Sequence, residues 1–200
     1  VGNALEILSQ KKFYGKYDVV FGNPPYVRSK NIEEKVKKSL EKWDVVSGNV
    51  DLYIPFYQLG IELLNSKGVL GYISPNTYLQ SVNGRALRNY IRESKSNLRI
   101  ISFKEDQKFV GVTHYTCITF VYRDRRASNI MYAVCKETLE NCQYTSYDIS
   151  QYPDNVEWRF GNQEIDQMVY QIEHQPDKLD NYNIRNGLAT LCNELFFFDV

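Results

Sequence analysis

Residues 17–30 read YDVVFGNPPYVRSK. The apolar run from Tyr17 closes on Gly22-Asn23, the pattern of a strand buried in a parallel sheet. The chain then leaves through Asn23-Pro24-Pro25-Tyr26. Two consecutive prolines fix their own φ and hold the residues before them extended. They also remove two backbone donors. What remains is a stiff corner rich in acceptors, where the Asn23 side-chain oxygen and the Pro24 carbonyl can point at one place. Tyr26 adds a flat ring beside them. In open α/β sheets ligands bind beyond the carboxyl ends of the strands, so this corner is the expected site.

The flanking sequence extends the same architecture. Residues 31–43 predict a charged helix, with Asn31 as N-cap and Glu34 at the capping-box position. Residues 51–68 predict an amphipathic helix with Leu52, Phe56, Leu59 and Leu63 on one face and Gly68 as its stop. A second buried strand, 68–79, again ends in a proline-containing corner. A helix over 83–94 follows, then a third strand at 98–105 and a fourth at 113–123. Alternating strands and helices predict an α/β fold with a mostly parallel sheet. No helix separates the last two strands, so an antiparallel hairpin at the sheet edge is expected. Beyond Arg126 the pattern turns irregular or β-rich. A short helix over 162–175 is expected to gather Ile165, Met168, Val169 and Ile172 on one side.

The 200 residues fit one domain, or one domain and part of another. Net charge is zero, so bulk charge selects no partner, although a neutral total can hide a basic face. Cys117, Cys135, Cys142 and Cys192 form no CxxC pair, and His114 and His174 are the only histidines. No metal centre is expected, and unpaired buried thiols suit a reducing cytoplasm. No apolar run approaches the roughly 20 residues of a membrane span. Val1 is no initiator methionine, and both ends break off in mid-pattern, so the expectation is a piece of a longer protein.

The corner fits a planar substrate carrying an exocyclic amine. Such an amine is a poor nucleophile, because its lone pair is delocalised into the ring. Two acceptors gripping its hydrogens favour a more tetrahedral nitrogen and free the lone pair, with most effect as charge develops. Tyr26 would stack on the ring and hold it in line with an electrophile.

NPPY after an apolar strand resembles motif IV of the S-adenosylmethionine-dependent amino-methyltransferases. Its ordered neighbours, residues 2–8, 51–79, 108–123 and 184–200, are similar to the TaqI-like, gamma-class N6-adenine DNA methyltransferases, which include fused type IIG restriction–modification enzymes. The resemblance implies the C-terminal half of a Rossmann-like, doubly wound methyltransferase domain. It places the catalytic part at residues 1–126, a connecting segment at 127–160 and the start of a target-recognition region at 161–200. It further implies S-adenosylmethionine as cofactor, double-stranded DNA as partner, a restriction–modification system with a nuclease fused or associated, and a cytoplasmic location.

Carried over residue by residue, Asn23 and Pro24 accept from the target N6 amine, Pro25 stiffens the corner, and Tyr26 stacks on the flipped adenine, since a base must leave the duplex to be modified. Phe109 falls where the family has a second aromatic. Phe56, Asn3, Ala4 and Asn23 fall near the cofactor's adenosine. Asn3 stands where the family usually has Asp; an amide oxygen still accepts, but the charge is gone. Arg28 and Lys30 could meet phosphates flanking the target. Arg85 and Arg88 belong to a basic run with Arg92, Lys95 and Arg99, which a solvated helix face explains equally well. The glycine-rich loop that receives the methionine end of the cofactor would precede residue 1, so the piece alone is expected to be inactive. Two rival readings stand beside this one: an amino-methyltransferase of RNA or protein glutamine, and a non-catalytic DNA-binding scaffold.

Overall fold

The computed structural model describes residues 3–103, 116–123, 129–135, 139, 142–161, 168, 169, 171, 172, 174–177, 181 and 182. Contacts divide the chain into two compact units, Val1–Phe160 and Gly161–Val200. The first carries helices α1 (Ala4–Ile7), α2 (Glu34–Leu40), α3 (Tyr53–Leu63) and α4 (Arg85–Glu93). Its strands are β1 (Tyr17–Gly22), β2 (Leu64–Pro75), β3 (Asn97–Ser102), β4 (Thr116–Tyr122), β5 (Asn129–Val134) and β6 (Thr145–Asp148). They form one six-stranded sheet in the order β1-β2-β4-β3-β5-β6. In the second unit, residues 168–169 and 171–172 are helical, and Met168 and Ile172 are exposed. Ile165 lies outside the described residues. No helix among the described residues is long and apolar enough to cross a membrane.

The α/β expectation holds, but the sheet is mixed rather than mostly parallel: β1–β2 and β3–β5 are parallel, whereas β2–β4, β3–β4 and β5–β6 are antiparallel. The hairpin is antiparallel as expected, but it is not at the edge. β4 runs antiparallel to β3 on one side and to β2 on the other. The α4 crossover sets β3 one strand away from β2, and β4 fills that gap. β1 is the edge instead, and its burial is one-sided. Val19 and Phe21 are exposed, whereas Val20 and Gly22 turn towards the helices. Successive side chains face opposite ways, and only one face of β1 is covered by described residues.

The start of α2 and the end of α3 differ from expectation. Ser29–Asn31 form a 3-10 turn, so Asn31 ends a turn rather than capping a helix, and α2 starts at Glu34. The predicted tail of α3 belongs to β2, which begins at Leu64. Gly68 therefore stops no helix. A Cβ there would lie 2.8 Å from the Tyr17 carbonyl oxygen, so glycine permits the close approach of β1 to β2. Arg123, just beyond β4, donates to the Ile61 carbonyl at 2.6 Å, near the end of α3.

The core lies between the sheet and α3–α4. α3 is buried nearly all round, and Pro55 is tolerated because it sits in the first turn. Beneath it are two fully buried phenols: Tyr57 bonds Ser74 Oγ at 2.8 Å, and Tyr78 bonds Thr119 Oγ1 at 2.8 Å. Burial, aided by Cys117, pushes the Tyr57 phenol well above 10; burial does the same for Tyr78, aided by Tyr57 and then Cys117. The folded chain thus holds these protons more tightly than the unfolded chain does. Their contribution is complete below pH 10 and is lost as pH rises beyond it, by about 1.4 kcal/mol per pH unit for each phenol. Urea midpoints should fall steeply between pH 10 and 11, and less steeply in Tyr57→Phe.

Cys135 and Cys142 are joined by a disulfide, with Cα atoms 5.3 Å apart. They were expected as free thiols. The antiparallel pairing of β5 with β6 sets the two cysteines near each other, which spacing alone does not reveal. The argument from thiols to a reducing compartment loses these two residues.

Candidate active site at the carboxyl end of β1

The corner leaves β1 in extended backbone and is stitched down on its far side. Leu52 N–H donates to the Val27 carbonyl at 2.9 Å, and Ser29 N–H donates to Asp51 Oδ1 at 3.0 Å. Pro24 is buried, while Asn23 and Pro25 are exposed. The amide of Asn23 is therefore presented outward by a backbone it does not hold in place. Tyr26 is half-buried, and its hydroxyl donates to the Ile73 carbonyl of β2 at 3.0 Å. That bond ties the ring to the neighbouring strand, and Tyr26 is not among the residues that line the cavity beside the corner. Burial pushes the Tyr26 phenol up to about 12, so it stays protonated and keeps its donor at neutral pH.

A cavity of about 240 Å³ opens between α1, the end of β1 and α3. Asn23, Pro24 and Pro25 line it together with Ala4, Phe56 and Tyr72. Five residues singled out in sequence, spread from position 4 to 56, thus meet in one space. Tyr72 was missed. It stands in register with Gly22 on the neighbouring strand, and no local pattern could announce that. Asn3 is placed otherwise. It is the N-cap of α1, with its Oδ1 accepting from Leu5 N–H at 3.0 Å, and it is absent from the cavity lining. The side-chain oxygen expected to meet an adenosine already accepts one hydrogen bond at the helix start. Phe109 lies outside the described residues.

Arg28 lines a second cavity, of about 260 Å³, with Asp51, Tyr53, Thr77, Ser81 and Gly84. Lys30 and Arg85 are exposed, and Arg85 follows Gly84 directly at the start of α4. Its charge there opposes the helix dipole. Arg88 departs from expectation. It is 2% exposed, and its guanidinium donates to the carbonyls of Tyr78 at 2.7 Å, Ser81 at 2.9 Å and Val156 at 3.0 Å. It is neither solvated nor offered to a phosphate. The stripe Gly84, Leu87, Arg88, Ile91 follows helical spacing towards the core, and that was the overlooked signal. Arg92 likewise pairs with Asp154.

The family described as Eco57I restriction-modification methylase matches residues 3–109, more than half of the chain. The chain belongs to that family. The type II restriction enzyme and methyltransferase RM.Eco57I of Escherichia coli is 27% identical over 90% of this chain and 19% of its own length. The type II methyltransferase M.BstVI of Geobacillus stearothermophilus is 27% identical over 92% of this chain and 38% of its own. The chain therefore spans between a fifth and two fifths of these relatives. A nuclease-deletion mutant of the type ISP restriction-modification enzyme LlaGI, solved with a DNA substrate mimic, superposes with a TM-score of 0.56 at 19% identity. It covers 82% of this chain and 20% of that one, a likeness of fold. Membership of this family bears out the resemblance to restriction–modification methyltransferases, and the corner lies inside the matched region.

Proposed function

We propose that the corner is the amine-binding site of a DNA N6-adenine methyltransferase of a cytoplasmic restriction–modification system. The observation that carries this reading is the cavity joining Asn23, Pro24 and Pro25 to Ala4 and Phe56. Its walls suit the adenine of S-adenosylmethionine: the space is narrow and largely apolar, with Phe56 offering a ring face and backbone acceptors at the corner. When bound, that cofactor supplies a methyl group on an electrophilic sulfonium.

The chain's own residues then have distinct tasks. Asn23 Oδ1 and the Pro24 carbonyl accept the two hydrogens of N6, which draws the nitrogen towards tetrahedral geometry and frees its lone pair. Tyr26 stacks on the extruded base, and its bond to Ile73 keeps the ring from rotating away. Phe109 is assigned to the opposite face. Arg28, Lys30 and Arg85 neutralise phosphates beside the target, positioning the strand without reading its sequence. Residues 1–160, which share one sheet and one compact unit, are assigned to the catalytic domain in place of the expected division at 126, and 161–200 to the start of target recognition.

The test uses the longest natural chain containing this segment, incubated with methyl-labelled S-adenosylmethionine and mixed-sequence duplex DNA. Label should appear in N6-methyladenine after digestion to nucleosides. Label in cytosine, in RNA or in protein glutamine instead would overturn the substrate assignment. Phe56→Ala should weaken S-adenosylmethionine binding by about two- to tenfold, the range of one lost aromatic contact. Calorimetry of the same full chain would measure it, and unchanged affinity would remove Phe56 from the site.

A further inference from the structure

A larger cavity, of about 450 Å³, lies beside the 3-10 turn Asn76–Leu79 that follows β2. Its polar side is Asn76, Thr77, Gln80 and Ser81, and its aromatic side is Tyr132, Trp158 and Phe160. No charged side chain lines it among the described residues. Thr77 and Ser81 line this cavity and also the Arg28 cavity. A continuous surface therefore runs from Arg28, two residues beyond Tyr26, to Phe160.

We propose that this cavity receives a second nucleobase of the DNA strand whose target base enters the corner. The inference rests on the reading that the substrate is DNA. A base has two flat apolar faces and an edge of mixed donors and acceptors. The rings of Tyr132 and Phe160 pack on each other, 4.7 Å between centroids and inclined by 31°, and together form an aromatic wall against which one face of a base can stack. The amides of Asn76 and Gln80 offer both donors and acceptors, which matches the edge of any base. The neutral lining suits an uncharged heterocycle, while the cation sits one cavity away, where the connecting phosphate would pass. Stacking of this kind tolerates every base, because each has a π face.

The pocket is held rigid by residues the proposed chemistry leaves unused. Arg88 ties its two walls together: two of its bonds go to the Tyr78 and Ser81 carbonyls, and the third to Val156, two residues before Trp158. Trp158 N–H donates to the Leu79 carbonyl at 2.7 Å. Asn155 N–H donates to Asn89 Oδ1 at 3.2 Å, and Arg92 pairs with Asp154. α4 thus clamps the segment 154–158 along one side. Phe160 is fixed by rings on several sides, with Tyr147 at 5.0 Å and Tyr152 at 5.7 Å. Arg88 is accordingly a positioning residue for this pocket.

The test is photocrosslinking of the full natural chain to mixed-sequence duplex DNA carrying 5-iodouracil, which couples to stacked aromatic side chains, with adducts located by mass spectrometry. Adducts are expected on Tyr132, Trp158 or Phe160. Phe160→Leu, which keeps an apolar side chain in place, should lose them and bind DNA about tenfold more weakly, as expected for one lost stacked base. Arg88→Lys, with a single donor group in place of the fork, should lower the same adducts while leaving S-adenosylmethionine affinity unchanged. Adducts on Tyr26 without any on the three pocket residues would overturn the second pocket and leave the proposed function standing. Pocket adducts in a chain that transfers no methyl group to DNA would do the reverse. DNA bound with no adduct at either place would overturn the pocket.

Discussion

Asn23→Ala should lower the single-turnover rate of methyl transfer to DNA by about a hundred- to a thousandfold, the usual cost of removing one preorganised polar group from a developing charge. In free-energy terms this is about 2.7–4 kcal/mol. The effect belongs to the rate because the amide is exposed and the corner does not depend on it. Pro24 is buried, both prolines fix the torsions, and the chain beyond is anchored through Val27 and Ser29. S-adenosylmethionine affinity should therefore change little, even though Asn23 borders that cavity. Asn23→Asp keeps an acceptor at the same reach and should retain more activity than the alanine variant. A loss smaller than tenfold in Asn23→Ala, measured with saturating cofactor and DNA, would show that the amide does not grip the nucleophile.

Gly84→Ala is the substitution expected to damage stability most. A Cβ at Gly84 would stand 2.2 Å from the carbonyl oxygen of Tyr78 and 2.5 Å from its Cα. Both obstacles are backbone, so no side chain can rotate away. The same Tyr78 carbonyl accepts from Arg88 at 2.7 Å, and Gly84 N–H itself donates to Ser81 Oγ at 3.1 Å. Moving the turn would strain both the start of α4 and the Arg88 bridge. The cost should reach or exceed the usual upper range for overpacking, about 3 kcal/mol. For a chain of this size that corresponds to a melting midpoint lower by about 6–12 °C. Differential scanning calorimetry would measure it, and a shift under 2 °C would mean that the turn yields freely.

The corner's stiffness was legible in the sequence and the burial of Arg88 was not, for one physical reason. Proline acts through its own ring and its immediate predecessor, so Asn23-Pro24-Pro25-Tyr26 declares its geometry wherever it is placed. Helical spacing placed Phe56 on the apolar stripe of α3, while its place beside the cofactor was implied only by the family resemblance. Arg88 also lay on the apolar stripe of its helix, but charge argued for solvent. A guanidinium is buried only when several carbonyls converge on it, and here they come from positions 78, 81 and 156. That convergence has no sequence signature.

The sequence alone determined the alternation of strands and helices, the rigid acceptor-rich corner at the end of β1, and kinship with restriction–modification methyltransferases. The first two depend on torsional limits and on periodicities of two and 3.6 residues, which neighbouring residues set among themselves; the kinship rests on the resemblance of the ordered motifs. Only the tertiary structure decided that β4 lies between β2 and β3, that Asn3 spends its oxygen on a helix cap, that Tyr72 joins the cavity of Asn23, and that Trp158 and Phe160 face Gln80 across a second pocket. Each of these depends on strand register or on contacts between distant segments. Such pairings are selected by the burial and hydrogen bonding of the whole fold, and local sequence carries no record of them.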